Sequence, residues 1–230
     1  MPNRPFVAQD AAATLLNDNA SNFSRDKAKQ KIVRTFDPQS LTECGRKLSY
    51  LTTITDGKEH KLNLTNEESL ANRYTKIKWI DILGNLKDIR VLDSWVVACD
   101  IGYNLVTKVD CVIQMDSLDE LQSVVSIKSA SSDEFKKIQD KGPHRKDIVA
   151  IMTDMWLIEI AHGIIIYENR DNLEFMINSI LPERAIINSV KSKAKELYHH
   201  KINGTIPNQP YKDKSSKECS NCEFSKRCWE

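Results

Sequence analysis

The end of the chain constrains it most. Cys219, Cys222 and Cys228 form a C-x2-C-x5-C pattern inside SSKECSNCEFSKRCWE, a polar run with too few apolar side chains to fold by itself. Such a segment needs a cross-link, and a group bound by thiolates supplies one because its binding free energy becomes folding free energy. The chain has six cysteines. Cys99 and Cys111 lie in the apolar runs WVVACDI and VDCVIQM and read as packed core thiols. Cys44, in SLTECGRKLSY, is the remaining cysteine outside a strand. In a reducing compartment these residues are expected as buried thiols or metal ligands, not as a disulfide framework.

At 230 residues the chain has room for one well-buried domain, at most with a small appendage. No apolar run approaches the ~18 residues of a membrane span, and Met1 to Asn22 lacks the basic start and compact apolar core of a secretory signal. A cytoplasmic location is therefore expected. Lys and Arg number 33 against 32 for Asp and Glu, so the net charge of +1 gives no whole-molecule attraction to nucleic acid, and any basic surface must be local.

Residues 1–35 read as a polar arm with the basic stretch RDKAKQKIVR. Ser40 is placed to cap a short helix carrying Cys44. Thr65 and Glu68 have capping-box spacing, and Leu70, Tyr74, Ile77 and Leu83 follow at intervals of three to six, which predicts a helix over 66–84. From Val91 to Ser129 short apolar bursts broken by Gly102, Asn104 and the Asp116–Glu120 turn predict a three-stranded meander. A helix follows Pro143 and ends near Gly163. GIIIYENR and LEFMINSI predict two more strands, and a long helix runs from Pro182 to about Lys201. His162 reads as the terminus of a helix, and His199 and His200 as a solvated helix end.

Within this order, NLVTKVDCVIQM supplies Asp110, LQSVVSIKSAS supplies Lys128, and Gly163 to Asp171 read GIIIYENRD. With the four cysteines, these segments resemble the iron-sulfur branch of the PD-(D/E)XK nuclease superfamily, the RecB- and AddB-like nucleases and CRISPR-adaptation exonucleases, over roughly residues 36–230. The resemblance implies an α/β, restriction-endonuclease-like core, a mixed central sheet flanked by helices. It also implies a C-terminal lobe, 205–230, packed with the Cys44 helix around a 4Fe-4S cluster on Cys44, Cys219, Cys222 and Cys228. Four thiolates satisfy one such cluster, and with Cys44 175 positions before Cys219 it would staple the chain's two ends together. A zinc ion on the same thiolates is the rival.

The resemblance further implies an acid at the end of a strand, then an acid and a lysine two apart on the next. The acids hold Mg2+ or Mn2+, which activates water, while the lysine neutralises the scissile phosphate. Asp110 and Lys128 fill two of these places, but Ser126 stands where the second acid belongs. The helix before GIIIYENRD lacks the family's glutamine and tyrosine, with Ala150 and Asp154 at the nearest positions. Asp147 and Asp154 are candidate replacement ligands, although a solvated helix face is the simpler expectation for both. Lys136, Lys137, Lys141, Arg145 and Lys146, with His144, form a candidate phosphate-binding cluster, and Arg184, Lys191, Lys193, Lys195 and Lys201 a more diluted one. Three losses from the catalytic pattern favour a degenerate nuclease fold kept as a DNA-binding or protein-binding factor in a replication, repair or transcription assembly. The alternative is an active metal-dependent DNA exonuclease with a relocated acid.

Overall fold

A computed structural model describes residues 36–52, 70–116, 118 and 120–230. The expected polar arm and the capping box at Thr65 and Glu68 lie outside the described residues. Helix α1 spans Gly45–Thr52 and α2 Leu70–Gly84. Strands β1 (Ile89–Asp100), β2 (Leu105–Met115) and β3 (Leu121–Ala130) follow. Helices α3 (Ser132–Lys141) and α4 (Arg145–Ile158) lead to β4 (Gly163–Asn169) and β5 (Phe175–Ile180). The long α5 (Arg184–Ile202) precedes two short helices, α6 (Lys217–Ser220) and α7 (Ser225–Trp229).

The strands lie in chain order in one mixed sheet. The meander is antiparallel, β3 and β4 run parallel, and β5 returns antiparallel to β4. The parallel step requires a crossover, which α3 and α4 supply. Alternation along β3 sends Val125 and Ile127 to one face, where Trp79 and Leu83 of α2 cover them with Cys111, Ile113 and Ile166. Val124 points to the other face and packs with Ile151 and Met155 of α4, Phe135 and Ile138 of α3, and Ile165 and Tyr167 of β4. A third cluster, Phe36, Leu41, Leu48, Leu105, Val149, Val190, Ala194 and Leu197, joins α1 and α5 to α4. Among the described residues no helix is long and apolar enough to cross a membrane.

Several local expectations need correction. Ser40 does not cap the helix beside Cys44: Ser40–Thr42 is a single 3-10 turn, and Cys44 immediately precedes α1. Gly163 does not end α4, because Glu159 takes the left-handed C-cap conformation (φ 62°) and Gly163 opens β4. Glycine suits the close approach there, since a Cβ would meet Met155 Sδ at 2.7 Å and Ile151 at 3.0 Å and would push these side chains aside. His162 terminates no helix. Its ring bridges Ser123 Oγ (2.7 Å) and Ser179 Oγ (2.8 Å), linking β3 to β5.

The helix expected over 66–84 is described from Leu70 to Gly84, and Leu83 is buried, but two of its apolar positions face outward. Tyr74 and Ile77 are 69% and 49% exposed, while the buried positions are Thr75, Lys76, Trp79 and Leu83. That set has helical spacing, shares Leu83 with the apolar reading, and brings a lysine inside. Polar anchors explain this orientation. Trp79 Nε1 donates to Glu168 Oε2 at 2.7 Å, Lys78 Nζ reaches the same oxygen at 2.5 Å, and Asn72 Oδ1 accepts from Ser129 N at 3.2 Å.

Candidate active site

The site is built where two strands part. The β2–β3 ladder runs from Met115 opposite Leu121 to Cys111 opposite Val125, and Asp110 is the next residue of β2. Its Oδ2 accepts from Ile127 N at 2.7 Å, so the carboxylate takes the place of the missing ladder carbonyl. Its Oδ1 lies 2.9 Å from Lys76 Nζ. Both residues are buried. Each oxygen of Asp110 therefore already has a strong partner, and an ammonium group stands against the oxygen a metal ion would seek.

Lys128 lies on the opposite strand, on the face of α4, as does Ser126. Its Nζ is 4.0 Å from Asp147 Oδ1. Asp147 Oδ2 accepts from Tyr167 Oη at 2.8 Å, and Gln39 Nε2 donates to Oδ1 at 3.4 Å. Burial and the adjacent Asp147 charge push the Tyr167 phenol above its ordinary value. Asp154, two turns along α4, accepts from Thr107 Oγ1 at 2.5 Å. Burial pushes the Asp154 carboxyl up to about 7 against the opposing pull of Thr107 and Lys128, and the Asp110 and Asp37 charges add to the rise.

Asp147 and Asp154 are each 5% exposed, so the expected solvated helix face is overturned for both. The sequence pattern hid them because their seven-residue spacing puts them on the same side of α4 as Ile151, the side that faces the sheet. Lys76 was missed for the related reason that a charged residue was not counted toward a buried stripe. Asp116 pairs with Arg90 at 2.8 Å, and Glu120 sits in the turn before β3, so neither supplies the acid absent at Ser126. Among the described residues no three Cys, His, Asp or Glu side chains stand together so as to hold one metal ion.

The basic residues divide into two kinds. Lys136, Lys137, Lys141, Arg145 and Lys146 are all exposed, on α3 and the first turn of α4. Lys137 lies 3.7 Å from Glu134, and Asp133 and Asp140 share α3 with the lysines. Arg145 and Lys146 directly precede Asp147, so their charge stands beside the Lys128 site. The α5 lysines are largely engaged elsewhere: Lys191 lies over the Trp156 ring at 4.3 Å, Lys201 lies 5.3 Å from the Phe36 centroid, and Lys193 Nζ donates to the Glu43 carbonyl. Burial pulls the Lys201 ammonium down to about 8.

The cysteine segments meet at one end of the molecule. Tyr50 of α1 and Phe224 have ring centroids 5.4 Å apart, Arg227 covers the Tyr50 ring at 4.8 Å, and Arg46 Nη2 donates to the Cys228 carbonyl at 3.5 Å. From residue 208 to 230 only Cys219 and Phe224 are buried. This is little apolar cover for 23 residues holding two helical turns. Cys111 is fully buried under α2, and burial pushes its thiol up to about 12, which marks an inert core group. Cys99 is half-buried in β1.

No family model and no curated protein matches the chain. Solved structures do. SSO0001 superposes with a TM-score of 0.53 at 16% identity, covering 95% of each chain. An alkaline exonuclease from Laribacter hongkongensis, LHK-Exo, gives a TM-score of 0.48 at 11% identity over 59% of this chain and 66% of its own. A phage-related exonuclease from Haemophilus somnus 129PT gives 0.43 at 11% identity over 75% and 96%. The chain thus shares its fold with SSO0001 over nearly the whole of both, and its own mixed five-stranded sheet flanked by helices is consistent with the restriction-endonuclease-like core that the resemblance implies.

Proposed function

We propose that this protein is a nuclease-fold factor whose hydrolytic centre is closed, acting as a DNA-binding or protein-binding component of a replication, repair or transcription assembly. One observation carries the reading: Lys76 and Ile127 N take both oxygens of Asp110, while Ser126 offers no second carboxylate. Mg2+ sites draw on several oxygen ligands in near-octahedral array, and the residues here do not fit one. The anaerobically purified protein should leave single- and double-stranded DNA intact in Mg2+ or Mn2+. Robust cleavage abolished by Asp110→Ala would instead establish the alternative, an active metal-dependent DNA exonuclease. The observation favouring that alternative is Asp154, a buried acid within electrostatic reach of Asp110 and Lys128.

DNA is the partner we infer from the exposed cations on α3 and the start of α4. Such contacts reach phosphates and carry no base readout, so binding should be indifferent to sequence. Neutralising Lys136, Lys137, Arg145 and Lys146 together should weaken binding and lower the slope of log K against log salt by about 3–4. An unchanged slope would remove DNA from this face.

The cysteine end supports a 4Fe-4S cluster on Cys44, Cys219, Cys222 and Cys228; the rival, zinc, needs its thiolates gathered round one ion, and among the described residues no such group stands together. The donor set is four thiolates, the segments bearing them touch, and the tail has almost no core of its own. When bound, the group supplies a covalent staple between α1 and the tail. The chain's own contribution is orientation, through Tyr50 against Phe224 and Arg46 on the Cys228 carbonyl. Protein purified without oxygen should be brown, with about four irons per chain. Cys222→Ser should lose the colour and make the tail after Gly204 a site of rapid proteolysis. Colourless protein with one zinc would replace the cluster but keep the staple.

A further inference from the structure

The cysteine end holds three buried side-chain donors that have no hydrogen-bond partner among the described residues: Arg46 Nε, Ser225 Oγ and Trp229 Nε1. A buried donor left unpaired costs about 1–3 kcal/mol, so three at one end of a chain call for an acceptor there. Each is close to a cysteine in sequence. Arg46 follows Cys44 by two residues, Ser225 lies three from both Cys222 and Cys228, and Trp229 follows Cys228 directly.

The neighbouring contacts fix these groups. Arg46 Nη2 is spent on Tyr50 Oη (3.2 Å) and the Cys228 carbonyl (3.5 Å), which orients the guanidinium plane and leaves Nε over. Ser225 N donates to the Cys222 carbonyl at 2.9 Å, so its hydroxyl stays beside the Cys222–Cys228 turn. Gln209 Nε2 donates to the Cys228 carbonyl at 2.6 Å and lies 3.9 Å from Cys228 Sγ. The backbone carbonyl next to Trp229 is thus already occupied. The acceptors this region would gain on loading are sulfurs, which take N–H and O–H bonds in thiolate-held centres.

We propose that Arg46, Ser225 and Trp229 donate hydrogen bonds to the sulfur atoms of the iron-sulfur cluster held by Cys44, Cys219, Cys222 and Cys228, and so raise its reduction potential. The inference rests on the cluster reading above. The direction follows from charge. Reduction adds one electron to a cluster already ligated by four anions, and donors aimed at its sulfurs stabilise the more negative state.

The test is a redox titration of the full chain, purified without oxygen, followed by electron paramagnetic resonance with iron content measured on the same samples. Trp229→Phe keeps the ring and loses the donor, Ser225→Ala loses the hydroxyl, and Arg46→Lys keeps the charge but loses Nε. Each should keep the iron content of the natural protein, and the triple variant should shift the one-electron equilibrium toward the oxidised form about tenfold, roughly 59 mV lower in midpoint. Variants fully loaded with iron at an unchanged midpoint would overturn the inference and leave the cluster standing. Natural protein without iron would remove the cluster and the inference with it. Should the variants fail to fold, the natural protein still decides the matter. Its Fe–S stretching bands should shift in D2O if the sulfurs accept hydrogen bonds, and bands indifferent to D2O would overturn the proposal.

Discussion

Lys76→Ala should destabilise the protein by about 3–5 kcal/mol, because it strands the buried Asp110 carboxylate with a single backbone donor. In a chain of this length that corresponds to a melting temperature lower by about 10 °C. The cause is the uncompensated charge and not lost packing, which a second variant separates. Lys76→Met combined with Asp110→Asn removes both charges at similar volume and should recover most of the loss, since a buried ion pair and its neutral replacement are often equal in stability. A Lys76→Met single variant as stable as the natural protein would show that Asp110 is neutral or solvated and would reopen the site to metal. Millimolar Mn2+ gives the functional counterpart. It should leave the melting temperature of the natural protein unchanged, because the place beside Asp110 is taken. A metal-dependent rise in the natural protein would favour the active alternative.

The same pair of residues shows what the sequence makes legible. The strand GIIIYEN can be located from its apolar run and its glycine, and each letter finds a structural duty: Gly163 admits Met155, Tyr167 binds Asp147, Glu168 anchors α2 through Trp79 and Lys78, and Asn169 Oδ1 accepts from Ser132 Oγ at 3.2 Å and Asp171 N at 3.0 Å. The alternation that places Ser126 and Lys128 on one face is equally readable, because a strand has period two. Helix α2 is different. Its phase is set by polar anchors on three strands, and hydrophobic periodicity carries no signal for Lys76 meeting Asp110. Asp154 is hidden for a related reason. An aspartate among apolar residues of a helix reads as a solvated position unless its partner Thr107, 47 residues earlier on β2, is known. Long-range polar pairings of this kind depend on the sheet register, which single-sequence pattern does not supply.

Asp154→Asn should stabilise the protein at alkaline pH and leave it unchanged near pH 4. The carboxyl rises from an ordinary 3.8 to about 7 in the folded chain, chiefly through burial. Below about pH 4 both states hold the proton and the group has no effect on stability. Between about 4 and 7 the unfolded chain releases its proton while the folded chain keeps it, so stability falls as pH rises, by up to roughly 4 kcal/mol once the folded group ionises. Relaxation around the charge and its attraction to Lys128 reduce the effect that replacement can recover, to about 2 kcal/mol, or a melting temperature higher by about 5 °C at pH 8. Asparagine suits the site because its carbonyl oxygen still accepts from Thr107. Thermal unfolding from pH 4 to 8 would measure the difference, which should grow over that window. A variant less stable than the natural protein at every pH would mean that Lys128 depends on the Asp154 charge more than burial opposes it. A gain in stability without loss of DNA affinity would place Asp154 outside the binding surface. The same gain with loss of any metal-dependent cleavage would mark it as the acid that the active alternative needs in place of Ser126.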